Sequence, residues 1–148
     1  MQYTYEFEVF ESEGWLVAYP FDLGGATQGR DKAEVAMMAA DLLRMKMEDC
    51  LMHNLPIPKA TFGNEPQEGG YLMVVSAEAS LDAIRKVTAS EAARMLEVTP
   101  ARVSHMIRDN LLSAFKDGDR TWVTLDSVHA RLADRRGAGR PRKDAIAV

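Results

Sequence analysis

The chain has 148 residues, of which 47% are hydrophobic, 7% aromatic and 27% charged, a composition that excludes the disordered and fibrous classes. Its single cysteine, Cys50, excludes an internal disulfide framework and a thiolate metal cage, and favours a reducing compartment. The sequence shows neither a charged-then-apolar leader nor a membrane span, so a cytoplasmic protein is expected.

The net charge of −4 hides an asymmetry between the two halves. Residues 1–75 hold 5 Lys or Arg and 12 Asp or Glu, whereas residues 76–148 hold 13 and 10. Both charge sets could simply be solvated faces. Alternatively, they indicate partners of opposite sign, a cationic surface for the first half and nucleic acid for the second.

Two strands open the chain. Apolar and polar residues alternate over residues 3–10, which predicts a strand with one buried face and puts Glu6 and Glu8 on its exposed side. A turn at residues 13–14 leads into a second strand over residues 15–19. The opening is therefore predicted to be a β-hairpin.

A long helix is predicted after a Gly-rich segment that holds at most a short third strand near Thr27. Asp31 and Glu34 have the spacing of a capping box, so the helix should start there and run to about Asn54, before two prolines. Its apolar stripe is predicted to be Ala36, Ala40, Leu43, Met47 and Leu51.

Three methionines, Met38, Met45 and Met52, recur every seven residues beside this stripe. A flank of the core is the favoured interpretation, and a subunit seam is the alternative. After the helix, residues 59–70 are predicted to form a loop, and the apolar run 71–75 a strand buried on both faces.

The second half begins with two short helices. Thr88 and Glu91 have capping-box spacing for a helix over residues 90–96. The pair 99–100, Thr-Pro, supplies a cap and a first-turn proline for a second helix, which Asn110 can end in a left-handed conformation. Two short helices joined by a tight turn are typical of a helix-turn-helix.

A hairpin follows, with strands at residues 113–116 and 120–123 joined by an Asp-Gly turn, and then a helix through about Asp134. Residues 135–148 are basic and lack an apolar face, so they are predicted to be disordered alone. Part of this tail resembles an AT-hook for the minor groove, although loose attraction to phosphates is the favoured interpretation.

In a helix-turn-helix the second helix enters the major groove, and side chains away from its core face reach the bases. The alternative is an ordinary three-helix packing unit with solvent-facing arginines. The candidate DNA-binding residues of the helix, hairpin and tail are Thr99, Arg102, Ser104, His105, Arg108, Lys116, Arg120, Arg140 and Arg142.

Residues 88–134 resemble the excisionase and MerR type of winged helix-turn-helix. The resemblance rests on the run Ser90–Pro100, on Val103 and Ile107, and on the wing at residues 116–120. Glu97 and Asn110 stand where that family usually has glycine.

Residues 1–76 resemble the HicB antitoxin family through residues 5–7, 14–20, 22–29, 39–41 and 56–58. The resemblance implies a partial RNase H-like fold that neutralises a small basic, mRNA-cleaving HicA-like toxin, and a C-terminal domain that binds operator DNA. The candidate toxin-binding residues are Phe21, Asp22 and Leu23, which could instead close the edge of the sheet.

The sequence thus predicts an α+β protein, with a β-β-β-α-β partial RNase H-like domain at 1–76, a linker at 77–87, a winged helix-turn-helix at 88–134 and a basic tail at 135–148. The expected function is an antitoxin that represses its own operon as a homodimer or higher homo-oligomer. No cofactor, metal or catalytic site is expected, because no set of carboxylates converges as a two-metal nuclease requires. A ligand-responsive transcription regulator is the alternative.

Overall fold

The computed structural model describes residues 1–138, and the chain divides into two compact units, Met1–Ala83 (unit 1) and Ile84–Val148 (unit 2). The architecture is mixed α+β, with antiparallel sheets and four helices. Unit 1 holds 5 Lys or Arg against 14 Asp or Glu, and unit 2 holds 13 against 8. None of the helices among the described residues has the length and apolar character needed to cross a membrane.

Unit 1 is a four-stranded antiparallel sheet with one long helix. Its elements are β1 (Gln2–Ser12), β2 (Trp15–Pro20), β3 (Thr27–Gly29), α1 (Lys32–Met52), β4 (Tyr71–Glu78) and a 3-10 turn (Leu81–Ala83). The strand order is β3-β2-β1-β4. Glu13 and Gly14 both have positive φ, and Ser12 pairs directly with Trp15, so the predicted hairpin and its two-residue turn are confirmed.

The helix α1 starts where the capping residues predict. The carboxylate of Asp31 accepts a hydrogen bond from the Glu34 N–H at 2.8 Å, while the Glu34 carboxylate accepts one from the Arg30 N–H at 2.9 Å. The two predicted stripe positions Ala36 and Ala40 are only half-buried. The stripe that packs on the sheet is instead Val35, Ala39, Leu43 and Met47, which lie four residues apart along one face.

The favoured interpretation of the three methionines as a flank of the core fails for Met38 and Met45. Met38 is 41% exposed, Met45 60% and the neighbouring Met37 69%, and only Met52 is half-buried. Met38 and Met45 are not among the stripe positions 35, 39, 43 and 47, so they lie on a more exposed part of the helix.

The strand β4 also differs from its prediction, because it lies at the edge of the sheet and only one of its faces is buried. Val75 is 6% exposed, but Val74 is 60% exposed, so burial on both faces is wrong. An edge strand has a neighbour on one side only, and an apolar run does not reveal its position in the sheet.

Within residues 84–138, unit 2 is a three-stranded antiparallel sheet with three helices, in strand order β5-β7-β6. Its elements are β5 (Lys86–Thr88), α2 (Ala89–Leu96), α3 (Pro100–Arg108), β6 (Ala114–Asp117), β7 (Arg120–Thr124) and α4 (Leu125–Ala138). The core consists of Ala92, Ala93, Leu96, Val103, Met106, Leu112, Val123 and Val128. The helices and hairpin predicted for this half are confirmed, with most ends within one residue of the prediction. The exception is α4, which continues to Ala138, so residues 135–138 are helical and not part of a disordered tail.

The predicted linker at residues 77–87 has regular structure at both ends. The strand β4 continues to Glu78, Ala79 is 1% exposed in the core of unit 1, and β5 begins at Lys86. A three-residue strand carries too little periodicity to be read from the sequence.

Candidate functional site

The first helix of the helix-turn-helix pattern, α2, is held by a complete capping box. The Thr88 hydroxyl accepts a hydrogen bond from the Glu91 N–H at 3.1 Å, and the Glu91 carboxylate accepts one from the Thr88 N–H at 3.0 Å. The bond from the Thr88 backbone is the main reason why the pKa of Glu91 is lowered. The start of α2 is therefore fixed by the residues that predicted it.

Two left-handed residues set the geometry of the turn and of the end of α3. Glu97 has φ 56° and Asn110 has φ 60°. Beyond each, an N–H reaches back to a carbonyl five residues earlier, from Val98 to Ala93 at 3.0 Å and from Leu111 to Met106 at 2.8 Å. This pattern is a Schellman motif, which favours glycine, and it falls at the two positions where the resembled family has one.

The helix α3 begins at a Thr99 cap, whose hydroxyl accepts a hydrogen bond from the Arg102 N–H at 3.1 Å, with Pro100 in the first turn. Val103 and Met106 are buried against the unit 2 core. On α3 and its cap, every side chain predicted to reach DNA is exposed; these residues are Thr99, Arg102, Ser104, His105 and Arg108.

Three of these side chains are ordered by contacts within the helix. The Ser104 hydroxyl donates to the Pro100 carbonyl at 3.3 Å, and the Arg108 guanidinium donates to Nδ1 of His105 at 2.8 Å. A guanidinium can only donate, so Nδ1 of His105 is the acceptor in this contact. The structure thus brings His105 and Arg108 together as one polar pair.

The hairpin places Lys116 and Arg120 at an exposed tip next to two acids. Lys116 is on β6, and Asp117 lies opposite Arg120 in the strand register. The Arg120 guanidinium lies over the Trp122 ring at 5.5 Å from its centroid, and the Lys86 ammonium lies over the same ring at 5.5 Å. Sequence reasoning missed Lys86, since nothing in the sequence indicated β5.

Two further candidates, Arg140 and Arg142, lie outside the described residues. Their assignment to DNA stays a prediction from the sequence.

The loop Phe21–Leu23, predicted to contact a toxin, has structural contacts of its own. Phe21 is half-buried, with its ring edge-on to Tyr19 at 5.3 Å between centroids. Asp22 accepts hydrogen bonds from the Thr61 N–H at 2.7 Å and from the Thr61 hydroxyl at 2.9 Å, and Leu23 packs against the core. The predicted role in toxin binding therefore stays a prediction, beside a role in closing the sheet.

The expected exposure of Glu6 and Glu8 is wrong, because the loop 59–70 covers the face of the sheet opposite α1. Glu8 has no exposed surface. Its carboxylate accepts hydrogen bonds from the backbone N–H groups of Gln67, Glu68 and Gly70 at 2.6 to 2.9 Å, and from the Tyr19 hydroxyl at 2.6 Å.

These bonds set the ionisation of the group. Burial by itself raises the pKa of Glu8, but the four donors outweigh it and lower that pKa to about 2. Burial, together with the bond to Glu8, raises the pKa of Tyr19 to about 12. Glu8 is therefore a carboxylate, and Tyr19 a neutral phenol, across the ordinary pH range.

Glu6 is bonded in the same way to the first part of the loop 59–70. It is 4% exposed and accepts hydrogen bonds from the N–H groups of Asn64 at 2.8 Å and Gly63 at 3.1 Å. The backbone bonds from Asn64 and Gly63 lower the pKa of Glu6. Two acids on one strand face, with a Gly-rich and Pro-rich loop later in the chain, were the only sequence signal of this contact.

Metal-binding residues do not cluster. Within residues 1–138, no group of three or more His, Cys, Asp or Glu is arranged to hold a metal ion. His53 lies at the end of α1 beside Asp49, and His129 is exposed on α4.

Comparison with known proteins assigns no family to the chain. No family model matches it, and no curated protein matches it. Among solved structures, a toxin-antitoxin complex from Streptococcus pneumoniae contains a chain that is 16% identical, with a TM-score of 0.48; the similarity covers 74% of the present chain and 99% of that chain. Similarity at this level leaves the family open.

Proposed function

We propose that unit 2 binds operator DNA as a winged helix-turn-helix and that unit 1 binds a small basic toxin. The chain would then be an antitoxin of the HicB type, with no catalytic activity of its own, that represses its own operon. The observation that carries the proposal is the division of α3 into a buried apolar face and an exposed face of DNA-compatible side chains.

The exposed face of α3 has the chemistry of a major-groove reader. Arginine pairs with the acceptors of guanine, and hydroxyl and imidazole groups bond either bases or phosphates. The contact between Arg108 and His105 holds the guanidinium along the helix before DNA binds, which lowers the entropy lost on binding. The hairpin that follows supplies Lys116 and Arg120 for flanking phosphates.

The charges of the two units support separate partners. Unit 1, with 14 acidic and 5 basic residues, would attract a basic protein and repel DNA, whereas unit 2, with 13 basic and 8 acidic residues, would do the reverse. The resemblance of residues 1–76 to HicB antitoxins indicates that the basic protein is a HicA-like toxin.

A binding role suits unit 1 better than catalysis. The carboxylates of Glu6 and Glu8 are fully engaged by the loop 59–70, Asp22 is bonded to Thr61, and Asp41 is paired with Arg44 at 3.3 Å. These contacts hold the acids in separate structural roles.

The DNA-binding part is tested with the DNA upstream of the chain's own coding region. Arg102→Ala and Arg108→Ala should each cost about 1–3 kcal/mol on this operator and less on random DNA, because a base contact carries the sequence preference. Arg85→Ala is the matched control, since Arg85 pairs with Asp126 at 2.7 Å and is outside α3. Equal losses on both DNAs from the α3 variants would overturn the assignment of the recognition helix.

Variants of the basic tail should affect all DNA sequences alike, unlike the variants of α3. Replacing Arg140 and Arg142 with alanine should weaken binding to every DNA and lower the salt slope by about two. A change of sequence preference would contradict a role limited to phosphates.

The toxin-binding part is tested by growth. The short reading frame next to this gene is expressed with and without the chain, and rescue by the chain is expected. Phe21→Ser with Leu23→Ser should abolish rescue, and thermal melting must accompany the assay because Leu23 packs against the core. Met38→Ser with Met45→Ser tests the exposed methionines of α1 as the competing surface. No toxicity from the short frame, or rescue by unit 2 alone, would refute the proposal.

A further inference from the structure

The strand β4 is an unprotected sheet edge. Within unit 1 it pairs only with β1, along all eight of its residues. The other edge, β3, has three residues. A strand of this length presents a row of backbone donors and acceptors to any strand that lies beside it.

The hydrogen-bonding pattern between β1 and β4 shows which backbone groups of β4 point to the open side. The Ala79 N–H donates to the Met1 carbonyl at 3.0 Å, and the Met1 ammonium donates to the Ala79 carbonyl at 3.3 Å. Bonded pairs alternate along an antiparallel ladder, so the odd-numbered residues of β4 bond to β1. The N–H and C=O groups of Leu72, Val74, Ser76 and Glu78 therefore point to the open side.

Nothing on β4 blocks a new strand. It contains no Lys or Pro, and its register with β1 runs without a bulge. Three of its exposed side chains are apolar, with Tyr71 39%, Leu72 36% and Val74 60% exposed, and the other two are Ser76 and Glu78. Monomeric proteins usually protect a long edge strand with a lysine, a proline or a bulge. Since β4 has none of these, a partner strand is indicated.

The charge of the edge argues against a basic partner there. Glu78 is the only charged residue of β4, and it is paired with the Met1 ammonium at 3.4 Å. A basic strand would find no unpaired carboxylate along β4, whereas an apolar strand would match its apolar side chains.

We propose that the partner is a second copy of the chain, joined by antiparallel pairing of β4 with β4 about a two-fold axis at Val74. The two sheets become one sheet of eight strands. On one face Val74 meets Val74, and Leu72 of each copy lies opposite Ser76 of the other. On the other face Met73 lies opposite Val75.

The register follows from the position of Glu78. Moving the axis to Val75 places Glu78 opposite Leu72, and moving it to Ser76 places Glu78 opposite Val74. An axis at Val74 places Glu78 opposite neither Leu72 nor Val74. It also brings together the N–H and C=O groups that point to the open side of each copy of β4.

The salt dependence distinguishes this interface from DNA binding. Each unit 1 has a net charge of −9, from 5 basic and 14 acidic residues, so the two copies repel each other. Added salt should strengthen the assembly by screening, whereas it weakens binding to DNA. The interface needs no toxin and holds whether or not unit 1 binds one.

The first test compares two lysine variants of the full chain. Val74→Lys places two like charges face to face, and Leu55→Lys changes an exposed residue, at 49%, that lies after α1 and outside β4. Light scattering should show a native mass of at least twice 16.4 kDa. Val74→Lys should halve the native mass and Leu55→Lys should leave it unchanged. A native mass of 16.4 kDa, or an unchanged mass for Val74→Lys, overturns the proposal.

The second test fixes the register by oxidation in a Cys50→Ser background. Val74→Cys should form a dimer through its own disulfide, because residues directly opposite lie about 5.5 Å apart between Cα atoms. Ser76→Cys alone should not, since its neighbour is Leu72 of the other copy, and Leu72→Cys with Ser76→Cys should. Cross-linking of Ser76→Cys as efficiently as Val74→Cys would overturn the register.

Discussion

Glu8 links the strand β1 of unit 1 to the loop 59–70. The strength of this link depends on whether the carboxyl group is ionised. Its pKa in the folded protein, about 2, lies below the ordinary value of 4.5. A depressed pKa adds stability that is complete above the unfolded-state value and is lost as the pH falls toward the folded one. The urea midpoint of unit 1 should therefore fall steeply between pH 4.5 and about 2.

Glu8→Gln tests the cause. The amide presents N–H groups to the donors of the loop, so the urea midpoint at pH 7 should fall and the slope between pH 4.5 and 2 should flatten. Glu11→Gln, on the exposed end of β1, is the control and should change neither. Trp15 fluorescence in a Trp122→Phe background reports on unit 1 alone. An unaltered acid slope in Glu8→Gln would contradict this account.

Glu97 adopts a left-handed backbone that L-residues other than Asn and Asp disfavour by roughly 1–2 kcal/mol. Comparing Glu97→Gly with Glu97→Ala isolates the backbone effect, because both variants remove the side chain. The glycine variant of unit 2 should be more stable by about 1 kcal/mol, measured by urea unfolding with Trp122 fluorescence. Equal stability of the two variants would mean that the turn relaxes without the left-handed residue.

At the scale of elements, the loop 59–70 is fixed to the sheet by close approach as well as by the two glutamates. A Cβ on Gly70 would lie 2.0 Å from the Val9 carbonyl oxygen, so β1 or the loop would have to move. Gly70→Ala should destabilise unit 1 by about 1–3 kcal/mol. Gly24→Ala meets only the end of Lys46 at 3.9 Å and should have little effect. Similar unfolding midpoints for the two variants would refute this role of the loop.

The elements that the sequence predicts well are those whose signals are local. Thr88 and Glu91 cap α2, Asp31 caps α1, and Asn110 ends α3, because each contact joins residues three to five positions apart. Such contacts leave a spacing that can be read directly.

The errors concern contacts between residues far apart in the chain. Glu8 is bonded to residues 59 to 62 positions away, and the edge position of β4 depends on which strand pairs with which. Alternation of polar and apolar residues reveals two faces of a strand but not what covers each. For the candidate site, the exposed face of α3 was predictable from its helical period, whereas the contact of Lys86 with Trp122 depends on β5.

For the whole molecule, the two units have separate cores and opposite charge, so the two proposed activities should separate at residue 83. Residues 1–83 should fold and neutralise the toxin, and residues 84–148 should bind operator DNA. A fragment that ends at residue 76 should be less stable than 1–83, because it lacks Ala79, which is 1% exposed in the unit 1 core and donates its N–H to the Met1 carbonyl. Growth rescue, circular dichroism and operator binding of the three fragments check this. Rescue by residues 84–148 but not by a folded 1–83 fragment would reverse the roles of the two units.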